Sequence, residues 1–134
     1  MKLLSALALL TLLAPGAAAQ GTSTPSAAVT LIGVWRGTSA CTVRSSACKD
    51  EIVVYYITRG ASGDSLTVDG RKIVGNAEQD MGAIGCAVAP KTGELTCVVP
   101  QGVWQFGVRH DALVGEFRLP DRTRFREVRA VRAR

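Results

Sequence analysis

The chain has 134 residues, four cysteines and a formal net charge of +5. This length is enough for one domain and too short for two, and a chain of this size can bury roughly 65% of its unfolded surface in a core. No apolar run in the sequence is long enough to span a bilayer as a helix, so a transmembrane segment is not expected.

Residues 1–19 predict a cleavable export signal. Lys2 precedes the apolar run at residues 3–13, and the three alanines at residues 17–19 form an A-x-A cleavage site. Export places the cysteines in an oxidising compartment, where disulfides persist. We therefore expect a periplasmic or secreted protein.

Residues 20–30 are small and polar, and they carry too little apolar surface to order themselves. They predict a flexible segment in front of one domain at residues 31–134.

Beyond that segment, short apolar or alternating runs recur between turn residues, and no helical period is present. Residues 75–80 are interpreted as a polar connection. Consecutive short turns favour an all-β, eight-stranded antiparallel up-and-down barrel, with a two-sheet sandwich as the main alternative. The predicted strands cover residues 31–38, 51–58, 65–74, 81–89, 94–99, 103–109, 112–119 and 122–132.

The cysteine spacing agrees with this plan. Cys86 and Cys97 are equidistant from the centre of a predicted hairpin, so they would face each other within disulfide reach. Cys41 and Cys48 bracket a tight loop between the first two strands. Four cysteines allow three connectivities, and we predict the local pairs Cys41–Cys48 and Cys86–Cys97 because each matches a predicted turn. Each bridge would add roughly 2–3 kcal/mol to the free energy of unfolding.

Gly33-Val34-Trp35 resembles the G-x-W signature on the first strand of lipocalin-like barrels. In that family the tryptophan closes one end of the barrel, and an arginine from the last strand packs over its ring. The resemblance implies that Gly33 and Trp35 form a structural pair with Arg126, or with Arg124. Residues 38–56 also resemble small exported bacterial proteins, a similarity that implies no activity.

The first functional hypothesis is an exported module that binds a small apolar or amphipathic molecule in or at the mouth of the barrel. Aromatic residues that alternate along strands usually belong to a core, but in a barrel with an open end they would line a cavity. The candidate ligand-lining residues are Tyr56, Trp104, Phe106 and Phe117.

The second hypothesis is a protein-binding module such as a protease inhibitor, acting through residues 20–30 or the loops at the barrel mouth. It follows from a resemblance to bacterial periplasmic metalloprotease inhibitors, which insert a free N-terminal segment into the protease cleft. The third is weak contact with an anionic surface through Arg122, Arg124 and Arg126, although a solvated strand face is the commoner meaning of such a cluster. Export argues against a nucleic-acid partner.

The sequence contains no constellation typical of catalysis. His110 is its single histidine and lies in a predicted turn, and the acidic residues do not have calcium-loop spacing. A hydrolytic triad or a zinc site ordinarily needs more partners than these. We therefore expect no cofactor, no metal and no enzymatic activity.

Overall fold

Eight antiparallel strands follow one another along the chain and close into a barrel. The computed structural model describes residues 27–134. The predicted signal at residues 1–19 and residues 20–26 of the predicted leader lie outside the described residues. A short helix, α1 (Ala27–Leu31), precedes the strands β1 (Gly33–Cys41), β2 (Glu51–Arg59), β3 (Ser65–Val74), β4 (Ala77–Val88), β5 (Leu95–Val99), β6 (Gly102–Arg109), β7 (Ala112–Arg118) and β8 (Arg124–Arg132).

Each strand pairs with its sequence neighbours, and β8 pairs with β1 to close the ring. The predicted all-β up-and-down barrel is confirmed, and the sandwich is excluded. Closure leaves the sheet without a terminal strand, so every strand has a neighbour on both sides.

The core follows from alternation along the strands. On β2, Val53, Tyr55 and Ile57 are buried, since every second side chain of a strand points to the same face. Trp35 lies directly opposite Tyr55 in the register between β1 and β2, so both point into the barrel. The other strands contribute a matching inner set, which includes Leu66, Val68, Cys86, Val88, Leu95, Cys97, Phe106, Leu113, Val128 and Ala130.

Both predicted disulfides are present. Cys41 and Cys48 have Cα atoms 5.9 Å apart, and those of Cys86 and Cys97 are 4.3 Å apart. The register of β4 with β5 places Cys86 opposite Cys97, as the hairpin spacing predicts. Bridges of this kind are typical of proteins from an oxidising compartment.

The predicted polar connection at residues 75–80 is wrong. Val74 pairs with Ala77, so the turn is confined to the two residues between them, and β4 begins immediately afterwards. Gly75 has a φ of 62°, a left-handed conformation that glycine adopts without steric cost. The polar start of β4 is exposed, and an exposed strand needs no apolar side chains to pair with its neighbour.

The last part of the predicted flexible segment is also different from the expectation. Residues 27–31 form α1, and Leu31 is completely buried. The Trp35 side chain holds the end of α1 in place, because its Nε1 donates a hydrogen bond of 2.8 Å to the carbonyl oxygen of Leu31. The helix therefore covers the end of the barrel that contains Trp35, which we call the closed end.

The arginine that packs over Trp35 is Arg132. Its guanidinium carbon lies 4.3 Å from the centroid of the Trp35 ring. Nη1 and Nη2 donate hydrogen bonds of 2.9 and 2.6 Å to the carbonyl oxygens of Ile32 and Thr30. A Cβ atom on Gly33 would lie 2.5 Å from Nη1 of Arg132, so glycine at this position leaves the space that the guanidinium occupies.

The predicted partners Arg126 and Arg124 are therefore wrong. The register between β1 and β8 places Arg132 opposite Trp35 and Arg126 opposite Cys41. Arg126 lies six positions earlier on β8, about 20 Å away along the strand at roughly 3.3 Å per residue. Arg124 is exposed and pairs with Glu127 at 2.8 Å.

We expect Arg132→Gln to lower the free energy of unfolding by about 1–3 kcal/mol. The substitution removes a cation–π contact and two charge-assisted hydrogen bonds. Arg124→Gln removes only an exposed ion pair and should change the free energy of unfolding by less than about 0.5 kcal/mol. Urea unfolding of the two variants measures the difference, and equal effects would contradict the role of Arg132.

Candidate functional site

A cavity of about 490 Å³ occupies the end of the barrel opposite Trp35, which we call the open end. Its lining comes from β1 to β8 and combines aromatic, aliphatic and charged side chains. The lining residues are Ser39, Glu51, Val53, Tyr55, Val68, Gly70, Met81, Gly82, Ile84, Val99, Gln101, Trp104, Phe106, Phe117 and Arg126.

Three aromatic rings form one wall of this cavity. Trp104 and Phe106 are two positions apart on β6, so their side chains point to the same face. Phe117 lies opposite Trp104 on β7. The rings of Trp104 and Phe106 are stacked with centroids 5.5 Å apart, and those of Trp104 and Phe117 are 4.8 Å apart. These spacings are in the range that aromatic pairs prefer, so the wall is a preformed apolar surface.

Tyr55 continues the aromatic lining from β2. Its ring meets that of Phe106 edge-on at a centroid distance of 5.4 Å. Burial raises the pKa of the Tyr55 hydroxyl well above its usual value, although its hydrogen bond with Ser39 and the charge of Arg126 act in the opposite direction. The hydroxyl therefore remains protonated at neutral pH and can donate a hydrogen bond.

A charged corner adjoins the aromatic wall, since Arg126 lies opposite Phe117 in the register of β7 with β8. The Arg126 side chain is 16% exposed, and its Nη1 donates hydrogen bonds to the Ser39 hydroxyl at 3.2 Å and the Ser39 carbonyl at 3.3 Å. The same nitrogen lies 3.4 Å from Oε2 of Glu51. Lys72 approaches Oε1 of Glu51 at 3.7 Å from β3. Glu51 thus lies between two cations at the rim of the cavity.

The cavity opens where β4 and β5 separate. The ladder between these strands consists of two pairs, Ala87 with Thr96 and Val88 with Leu95, and the Cys86–Cys97 bridge follows it. Nearer the open end, Gly82 of β4 and Val99 of β5 both line the cavity. Exposed Met81 and Gln101 stand at this opening.

Three of the four predicted lining residues, Trp104, Phe106 and Phe117, do line the cavity. Tyr56 is misplaced by the prediction. It points to the outer face of β2, where its hydroxyl is 3.0 Å from both carboxylate oxygens of Glu78. The neighbouring Tyr55 takes the inner position.

Sequence reasoning also missed Arg126 as a cavity residue, because it assigned this side chain to the opposite end. The run from Ile52 to Ile57 is apolar at odd and even positions, so it does not indicate which set points inward. Pairing with Trp35 decides it, since residues directly opposite in a ladder share a face. The ends of the two strands do not give this register, because β1 ends at Cys41 whereas Glu51, the first residue of β2, pairs with Ser39.

A larger depression, about 550 Å³, lies on the outer surface of β1, β6, β7 and β8. Its lining includes both acidic and basic side chains, among them Glu116, Glu127, Arg109 and Arg129. Aromatic rings do not converge there with a shielded charged group. We therefore assign the candidate site to the inner cavity.

The other chemical candidates do not come together. His110 and Asp111 are exposed, and both have positive φ values, 48° and 60°, in the turn between β6 and β7. Among residues 27–134, the His, Cys, Asp and Glu side chains form no group of three that could hold a metal ion. In that same range, no helix has the length and apolar character needed to cross a membrane.

Comparisons with known proteins found no matching family model, no matching curated protein and no matching solved structure.

We expect an alkaline titration to distinguish the two tyrosines, the only ones in the chain. A hydrogen bond with Glu78 raises the pKa of the outward-facing Tyr56, so the midpoint of its reversible ionisation should lie above the usual value near pH 10. Tyr55 should ionise only as the barrel unfolds. Because an unfolded tyrosine ionises near pH 10, the stability contributed by neutral Tyr55 is complete below that pH and falls above it.

Near-ultraviolet absorbance of tyrosinate measures this titration. Tyr56→Phe should abolish the reversible step, and Tyr55→Phe should leave it in place. The reverse pattern would contradict the inward position of Tyr55.

Proposed function

We propose that this protein is a binding module that carries a small apolar or amphipathic molecule in the cavity at the open end of its barrel. The observation that carries the proposal is the aromatic wall of Trp104, Phe106 and Phe117 around a space of about 490 Å³. Ligand sites of drug-sized molecules have volumes of about 300–1,000 Å³ and combine apolar linings with a few polar groups. The proposal is for a binding protein and not for an enzyme.

We also propose that the protein acts after export, in the periplasm or outside the cell. The export signal predicted at residues 1–19 and the Cys41–Cys48 and Cys86–Cys97 bridges support this location. A ligand carrier held together by disulfides suits such a compartment.

The resemblance to lipocalin-like barrels supports the same proposal. Gly33 and Trp35 lie at the closed end with an arginine of the last strand over the indole ring. An arrangement that seals one end leaves the opposite end as the entrance for a ligand.

The alternative of a protease inhibitor has less support. Residues 20–26 lie outside the described residues, and residues 27–31 pack against the closed end, where Leu31 is buried. That part of the segment would have to leave the barrel before entering a protease cleft.

Contact with an anionic surface through Arg122, Arg124 and Arg126 also has less support. Arg126 lines the inner cavity, and Arg124 is paired with Glu127. The three side chains therefore do not form one outward patch.

Binding of a neutral fluorescent probe such as N-phenylnaphthylamine tests the proposal. The emission of the probe should increase when it enters the cavity, and the bound probe should quench or shift the fluorescence of Trp104. A probe that stays dark over the accessible range of protein concentration would contradict the proposal.

We expect Gly70→Ile to weaken probe binding about 5- to 150-fold, since forcing extra atoms into an occupied space costs about 1–3 kcal/mol. A Cβ atom on Gly70 would lie 3.5 Å from Cε of Met81 and 3.7 Å from Cε1 of Tyr55, which are ordinary contacts. The larger side chain would therefore extend into the cavity without a clash at its base.

Gly85→Ile is the matched control. A Cβ atom on Gly85 meets nothing within 4 Å, and this position is exposed on β4. The control should bind the probe like the parent protein. Urea unfolding should show that Gly70→Ile remains folded, and unchanged probe binding in that variant would place the probe elsewhere.

A further inference from the structure

The charged corner contains two cations and one carboxylate, of which only Arg126 and Glu51 line the cavity. Lys72 and Arg126 flank Glu51, and the exposed fractions of the three side chains are 34%, 16% and 24%. Arg126 is the most shielded of them, and it lies opposite Phe117 of the aromatic wall in the register of β7 with β8. Because Lys72, from outside the lining, shares the single carboxylate of Glu51, the charge of Arg126 is only partly neutralised and favours an occupant with a negative group.

Part of the Arg126 guanidinium has no protein partner within residues 27–134. Its contacts with Ser39 and Glu51 all use Nη1. Nε and Nη2 lie on the other edge of the guanidinium plane and carry three of its five N–H groups. No buried side-chain nitrogen of the described residues lacks a hydrogen-bond partner, so these two atoms retain solvent-accessible surface.

An arginine edge of this kind matches one chemical group best. Nε and Nη2 present two parallel N–H bonds, and a carboxylate can accept both at once. The neighbouring Glu51 carboxylate, 3.4 Å from Nη1, would repel a group with two negative charges more strongly than a group with one. A cationic ligand would have to compete with Lys72 and Arg126 for Glu51.

We propose that the preferred ligand is a monocarboxylate with an apolar body. Its carboxylate is bound by Nε and Nη2 of Arg126, and its body lies against Trp104, Phe106 and Phe117. This inference rests on the proposed function and adds the chemical class of the ligand. Tyr55 and Ser39 line the same cavity as Arg126, and the Tyr55 hydroxyl can supply a further donor there.

Displacement of bound N-phenylnaphthylamine by decanoate, decanol and decylamine at neutral pH tests the inference on the unaltered protein. The three competitors share one alkyl chain and differ in the charge of the head group. Decanoate should bind roughly 10- to 100-fold more tightly than decanol, the size expected for hydrogen bonds to a charged group, and decylamine should bind most weakly.

Two variants should move this preference in opposite directions. Arg126→Gln should abolish the advantage of decanoate over decanol. Glu51→Gln removes the competing negative charge and should make decanoate bind roughly two- to fivefold more tightly, the size of one partly exposed charge interaction. A gain of affinity cannot result from a loss of folding, so Glu51→Gln keeps the test valid if Arg126→Gln is unstable.

Arg129→Gln is the matched control, because it removes the same charge from the exposed outer face of the same strand. It should leave the order of the three competitors unchanged. Equal affinities for decanoate and decanol in the parent protein would overturn the inference while leaving the proposed function intact. Failure of the neutral probe to bind would instead overturn the proposed function.

Discussion

The packing of Arg132 over Trp35 is the contact on which the arrangement of this barrel depends. It joins the last strand to the first at the same place where α1 covers the end of the barrel. Because β1 and β8 are antiparallel, this one contact sets the position of every later pair between them. The same register places Arg126 at the opposite end of the barrel, where it lines the cavity.

The two ends of the interior are therefore chemically different. At the closed end, the indole of Trp35 and the side chain of Leu31 are fully buried, and the guanidinium there binds backbone carbonyl oxygens. At the open end, small residues such as Gly70 and Gly82 leave space between the strands. The Cys86–Cys97 bridge holds β4 to β5 where their short ladder ends. The two strands can therefore separate at the opening while Ala87 stays paired with Thr96 and Val88 with Leu95.

The cavity joins an apolar wall to a charged corner, and under the proposed binding function this combination would give it chemical selectivity. Aromatic rings alone would accept many apolar molecules, since their attraction is largely non-directional. Arg126 adds direction, because Ser39 and Glu51 hold one edge of its guanidinium and leave the other edge accessible. Donors that are already held in place lose little further conformational entropy when a ligand binds.

Local sequence determined the architecture. Turn residues, strand alternation and cysteine spacing were enough to predict eight antiparallel strands and both disulfides, because each is a property of neighbouring residues. Only the tertiary structure decided which arginine covers Trp35 and which tyrosine enters the cavity. Both depend on the register between strands, and a shift of one residue exchanges the two faces. In the run from Ile52 to Ile57 both faces are apolar, so pairing with β1 makes the choice.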